Sequence, residues 1–239
     1  MKPVVGLCGL GVLIAANFGC VAPTFGPPGR LVSGGMPEAV GVGALKASVH
    51  GSAGGAWTLG GKTGVSGEIR AATGVAHWLD LDIGAGLAIA KIGGSKLGSP
   101  AEINETWMGS ATLRAYPLKG PVSVALGAGF GVGCGGAYES VSLCQLGRAA
   151  FVPIGEFDVG YRGSERWAVY LVNRFQPSYV KGMESTFWST HSIGVEVNFP
   201  QAKGLFLTPE LGTAVLATDD IQWLLTGLSF GVGFKFGGG

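Results

Sequence analysis

The stretch Val122–Cys134, VSVALGAGFGVGC, carries no charge and places glycine at Gly127, Gly129, Gly131 and Gly133. Between them stand Ala128, Phe130 and Val132, so an extended chain here has one apolar face and one nearly bare face. A period of two sustained over this length describes a strand, not a helix. Such a strand asks for an apolar solvent on one side. On the other it asks for neighbours that use the room glycine leaves.

The same period recurs along the chain. In TWMGSATLRAY, Trp107, Gly109, Ala111, Leu113 and Ala115 share one face, while Ser110, Thr112, Arg114 and Tyr116 share the other. LDLDIGAGLAIA opposes Leu79, Leu81, Ile83 and Leu87 to Asp80, Asp82, Gly84 and Gly86. FVPIGEFDVGYR, IGVEVNF and LLTGLSFGVGFKF repeat the pattern. Ten segments follow, over residues 38–50, 62–74, 79–91, 105–118, 121–134, 149–162, 166–177, 187–199, 204–217 and 222–236. Each is near or above the roughly 9–11 residues that a tilted membrane-crossing strand requires.

Composition narrows the class. Only 13% of the 239 residues are charged, where about 25% is usual in soluble domains. Glycine numbers 45, without the every-third period of collagen, and the formal net charge of +1 gives no reason to expect a nucleic-acid partner. Beyond the N-terminus no run approaches the roughly 20 apolar residues of a membrane helix. The apolar surface must therefore be hidden by a β architecture.

Connection lengths decide which one. VAHW, KG, GSE and PQAK are short links, whereas the tract around GSAGGAWTLGG, the loop GGSKLGSPAEINE, the cysteine loop and SYVKGMEST are long. Short turns at one end and long loops at the other describe a membrane barrel, and a soluble sandwich has no reason to sort its loops. The expected fold is all-β: an antiparallel up-and-down transmembrane β-barrel of about ten strands, with eight as the alternative count. Aromatic residues gather in two bands, Trp107 and Phe187 near the long loops and Tyr161, Trp167, Phe199 and Phe236 near the short turns.

The N-terminal MKPVVGLCGLGVLIAANFGC has one basic residue, Lys2, then an apolar stretch from Val4 to Ala16, then small residues. This reads as a secretory signal over residues 1–20 and implies export to an oxidising compartment. Cys134 and Cys144 bracket GGAYESVSL, a hairpin-tip spacing that a disulfide closes. NFGC resembles the lipobox of bacterial lipoproteins, which implies acylation of Cys20; ordinary signal-peptide cleavage after Ala22 is the alternative. Residues 21–35, containing APTFGPPGR, suit a tether, and residues 36–239 form the barrel.

Over residues 36–239 the chain resembles the small outer-membrane β-barrels of Gram-negative bacteria in its alternation, its loop sorting and its terminal strand FGVGFKF. The resemblance implies a place in the bacterial outer membrane, with lipid as the surrounding partner. Barrels of this class commonly end on an aromatic residue, whereas Phe236 is followed by Gly237, Gly238 and Gly239.

By alternation the inward face carries Glu68, Arg70, Asp80, Asp82, Arg114, Glu156, Asp158, Arg162, Arg174, Glu196, Glu210 and Lys235. Acids and bases in similar number predict mutual pairing across a lumen plugged by its own side chains. Bare strands beside charged ones would give the long side chains room.

Chemistry is sparse in the sequence. No zinc spacing, phosphate loop or nucleotide fingerprint stands in a suitable context, so no cofactor is expected. Ten strands and a histidine near the outer rim, His191, resemble the omptin proteases, which would cast Asp219 and Asp220 as an acidic pair. Lipid-modifying barrels use a membrane-facing serine–histidine pair, for which Ser189 and His191 are the candidates. No third group to orient the imidazole is visible in the sequence. The expectation is a non-catalytic structural, adhesive or envelope-complex barrel that meets a partner through its outer loops. A narrow porin is the first alternative and a protease or lipid-modifying enzyme the second.

Overall fold

A computed structural model describes residues 35–56, 63–92, 102–118, 120–135, 137–138, 141–142, 149–181, 185–217 and 222–237. The expected signal at residues 1–20, acylation at Cys20 and nearly all of the tether at 21–35 lie outside the described residues.

Ten strands form one closed antiparallel barrel. They are β1 (Leu45–Ala56), β2 (Thr63–Ala76), β3 (Leu79–Ile92), β4 (Glu102–Leu118), β5 (Val122–Gly135), β8 (Ala150–Arg162), β9 (Trp167–Val180), β10 (Thr186–Asn198), β11 (Leu205–Ala217) and β12 (Gln222–Phe236). A two-residue pair, β6 (Ala137–Tyr138) and β7 (Val141–Ser142), stands apart between β5 and β8. Every barrel strand pairs with its sequence neighbours, and β1 closes on β12 from Leu45↔Phe236 to Ala56↔Leu225. Closure leaves no strand edge unpaired, which is the condition for placing a sheet in hydrocarbon.

The outer wall is apolar. Val49, Ile69, Ile83, Leu113, Leu126, Phe130, Ile193, Leu211 and Leu228 are all exposed. Trp167 and Tyr161 meet edge to face at the turn end, and Phe234 stacks on Phe236 there. Phe175 and Phe187 stack nearer the loop end. Among strand residues whose side chains are described, no aspartate, glutamate, lysine or arginine faces outward. Residues that water would solvate have been moved inside, where Asp80, Glu196 and Thr208 are wholly buried.

The glycine ladder explains how so narrow a lumen holds long side chains. Gly127 lies in register between Arg114 on β4 and Glu156 on β8. Arg114 reaches over it, and its Nε donates to Glu156 Oε2 at 2.7 Å. A Cβ at Gly127 would lie 3.0 Å from Glu156 Cβ and 3.2 Å from Thr112 Cγ2. The device recurs at Gly194, in register between Tyr170 and Glu210, where the Tyr170 hydroxyl donates across it to Glu210 Oε1 at 2.7 Å. Glycine here is space for a crossing side chain.

The wall begins later than the sequence suggests. The first strand was expected over 38–50, yet it runs from Leu45 to Ala56, and His50 therefore sits inside β1 rather than at its end. Gly41 and Gly43 adopt φ of 94° and 77°, which breaks the extended run. Residues 35–41 instead form a strap across the lumen at the turn end. Met36 packs on Ala168, Tyr170 and Val172 of β9.

Substituting Gly127→Leu should force Arg114 and Glu156 apart and overfill the row, costing about 1–3 kcal/mol. The outward Ala128→Leu should cost far less. Urea titration of each variant in detergent micelles measures the difference, and equal midpoints would contradict the crossing role of Gly127.

Candidate functional site

Two regions carry polar chemistry: the lumen, and one sector of the outer wall. All twelve residues named from the sequence as a lumen network point inward, and the structure divides them into three groups. The central group is a chain of ion pairs. Arg70 Nη2 lies 2.8 Å from Asp82, and Arg114 lies 3.8 Å from the same carboxylate. Arg114 Nη2 is 2.6 Å from Glu156 and 3.5 Å from Asp158. Arg174 pairs with the far oxygen of Glu156, and Arg70 Nε lies 3.7 Å from Glu68. Three guanidinium groups thus interleave with four carboxylates, the seven residues coming from β2, β3, β4, β8 and β9. Each is nearly shut off from solvent.

The second group closes the turn end. Glu196 is fully buried and accepts from Lys235 Nζ at 2.8 Å, Lys46 Nζ at 3.2 Å and the backbone N–H of Met36 at 3.1 Å. Arg162 approaches the same carboxylate at 3.5 Å and is clasped by Glu38 of the strap. Lys46 and Lys235 also lie over the Phe206 ring, at 4.7 and 5.3 Å from its centroid. Asp80 accepts from the strap at Val40 N, 2.8 Å away, and from the Tyr116 hydroxyl. The third group is Glu210 with Tyr170 and Ser229. The strap is therefore bound to β3, β8 and β10 by charged or carboxylate contacts. Residues 38–41 of it, expected as the start of the first strand, lie instead N-terminal to that strand.

The outer wall holds the exception to its own rule. Asn173, His191, Thr213 and Thr226 stand in one register row across β9, β10, β11 and β12, all on the outward face. Ser189 sits two residues from His191 on the same face. Its hydroxyl is 2.7 Å from His191 Nε2, and His191 Nδ1 is 2.8 Å from Asn173 Oδ1. Asn173 Nδ2 in turn donates to the backbone oxygen of Phe157 at 3.1 Å. That last bond fixes the amide, because only its nitrogen can donate. Oδ1 must then accept from Nδ1–H, which leaves Nε2 as the acceptor for the serine hydroxyl. Phe175 lies edge-on to the imidazole, with centroids 6.1 Å apart.

Sequence reading named Ser189 and His191 but found nothing to orient the imidazole. Asn173 is that group, directly opposite His191 in a pairing that only the register of β9 on β10 reveals. His191 faces the wall exterior, five residues from the loop end of β10, rather than the rim. Asp219, Asp220 and Cys144 lie outside the described residues, while Cys134 is buried near the end of β5. Among the described residues no cluster of three histidine, cysteine or acidic side chains is placed to hold a metal ion.

A closed antiparallel barrel, apolar outside and ionic within, has one solvent that suits it. The fold is that of a membrane-crossing β-barrel. No protein-family model matches it, and no curated protein sequence matches it. Solved structures with a similar course include the COG4313 outer membrane channel from Pseudomonas putida F1, at 11% identity and TM-score 0.45, covering 86% of this chain and 100% of that one. The β-domain of the Bordetella autotransporter BrkA shares 11% identity at TM-score 0.46, over 82% of this chain and 99% of that chain. The outer membrane protein OprG from Pseudomonas aeruginosa shares 12% identity at TM-score 0.40, over 82% and 99%.

Removing Arg114 as Arg114→Met takes the guanidinium from Asp158 and one of two guanidinium partners from Glu156 and from Asp82, and should cost about 3–5 kcal/mol. Pairing it with Asp158→Leu, which removes the carboxylate left behind, should recover a substantial part of that loss. A double-mutant cycle on unfolding free energies measures the coupling, and simple additivity would show that the pair does not act together.

Proposed function

We propose that this chain is a solute-tight barrel of the structural, adhesive or envelope-complex kind, whose work is done at its surfaces rather than through its lumen. The observation that carries this reading is the double closure of the interior. A buried ion-pair chain from Glu68 to Arg174 fills the middle, and the strap at residues 35–41 is tied across the turn end by Glu196, Arg162 and Asp80. Opening a water path would require separating charges that pair with one another across the lumen, which is costly in a low-dielectric interior. The alternative, a narrow pore for small solutes, needs an ionic lining left free for the passing solute.

A partner would meet such a barrel through its outer loops. We infer a disulfide from Cys134, near the end of β5, to Cys144, stiffening the loop between them and so reducing the entropy lost on docking.

Purified barrel in planar lipid bilayers should give no steady conductance; a stable, reproducible unit conductance would overturn the closed reading in favour of the pore. The disulfide is tested by maleimide labelling of the native mature protein before and after reduction. Labelling of Cys134 and Cys144 should appear only after reduction, and two reactive thiols beforehand would remove the bond.

A further inference from the structure

A polar row on a lipid-facing wall has a cost. Serine, histidine, asparagine and threonine side chains in hydrocarbon each lose water, and apolar residues at the same positions would fit the wall without penalty. The row joins only adjacent strands that the backbone ladder already joins, so it adds little to barrel closure. What it does supply is an arrangement with a chemical meaning: a hydroxyl on an imidazole nitrogen, whose opposite nitrogen is held by a fixed amide oxygen. We propose that Ser189, His191 and Asn173 are the nucleophile, the general base and the positioning residue of an acyl-ester hydrolase that acts on lipid in the leaflet next to the long loops.

The geometry meets the demands of that chemistry. Ser189 Oγ and His191 Nε2 are at hydrogen-bond distance, 2.7 Å, the reach a general base needs. Asn173 holds the ring in the one tautomer that leaves Nε2 free to take the serine proton. Depth fits as well. Ser189 lies two residues from Phe187, one of the loop-side aromatic pair, which at a rise of about 3.3 Å per residue puts the hydroxyl some 6–7 Å along the strand from that belt. Ester linkages of membrane lipids sit just inside the interfacial zone that such belts mark. Ser189 is itself only 9% exposed, beside the half-buried His191, so the ester of a wall-hugging lipid reaches it by pressing between the side chains next to it, without leaving the membrane.

The steps balance with water as the second substrate. Ser189 Oγ attacks the ester carbonyl carbon while its proton passes to His191 Nε2. The tetrahedral adduct expels the alcohol oxygen, which takes that proton, and an acyl-serine remains. Water then attacks the acyl-serine with His191 as base, and the bond to Ser189 breaks. The products are a fatty acid and a lipid lacking one acyl chain. Backbone amides beside Ser189 are committed to the ladders with β9 and β11. The site therefore activates its nucleophile more than it stabilises an oxyanion, a donor usually contributing about 10²–10³ in rate. Slow turnover is expected.

This inference stands apart from the closed-lumen reading, since hydrolysis and conductance are measured separately and neither requires the other. The test reconstitutes the full barrel in vesicles of phosphatidylethanolamine and phosphatidylglycerol, and separately in vesicles containing purified lipid A, and measures released fatty acid by mass spectrometry. Release from the first set identifies glycerophospholipid as the source, and release of hydroxylated or secondary acyl chains from the second identifies lipid A. Ser189→Ala should abolish release and His191→Phe should lower it by about a hundredfold or more. Asn173→Ala should lower kcat about tenfold or more with KM little changed, and Asn173→Asp should restore it. Each variant is scored only where heat-modifiable migration in SDS shows a folded barrel. A fluorophosphonate probe should label Ser189 in the folded wild type and leave Ser189→Ala unlabelled. No fatty acid from either lipid set by folded wild type would overturn the proposal, as would release that persists in Ser189→Ala.

Discussion

Hydrocarbon cannot solvate a charge or an unpaired peptide group, and nearly every feature of this barrel follows from that prohibition. Closing β1 onto β12 satisfies the backbone. Turning every described ionic side chain of the strands inward satisfies the charges, but it concentrates them in a space too narrow for side chains from all ten strands. The solution is division of labour between strands. Some rows carry arginine, tyrosine or a carboxylate, and the position between two such residues is glycine, as at Gly127 and Gly194. The bare faces are thus as necessary to the ion pairs as the ions themselves.

The strap completes this economy of charge. Glu196 sits among Lys46, Lys235 and Arg162, an excess of positive groups, and the strap brings Glu38 to Arg162 as the balancing carboxylate. Its backbone N–H groups at Met36 and Val40 fill acceptor positions on Glu196 and Asp80. An N-terminal segment without regular structure is held in the lumen because it finishes hydrogen bonding that the wall alone leaves incomplete.

Legibility in the sequence tracked the range of the interaction. Alternation is a property of neighbours along the chain, so the strands, the closed ten-stranded fold and the inward face could be read from residues such as Asp80, Asp82, Glu156 and Asp158 directly. The start of the first strand could not, because Gly41 and Gly43 resemble any other glycines of an alternating strand until their positive φ is seen. The strap at residues 35–41 was hidden for the same reason, its second half reading as the start of that strand. Asn173 was missed for a different reason. Its link to His191 depends on register between β9 and β10, and an asparagine among outward positions is unremarkable until its partner is known. Sequence period locates faces, while contacts between side chains on different strands depend on pairing.

The outward row has a consequence beyond its chemistry. Asn173, His191, Thr213 and Thr226 span four adjacent strands at one level, while β2 and β3 present Val65, Ile69, Ile83 and Leu87. To the surrounding bilayer the molecule is therefore not a uniform cylinder. It has a wettable sector and a dry one, and headgroups and water descend more readily along the former. Lipids packed against the two sides thus meet walls of different polarity at the level of that row.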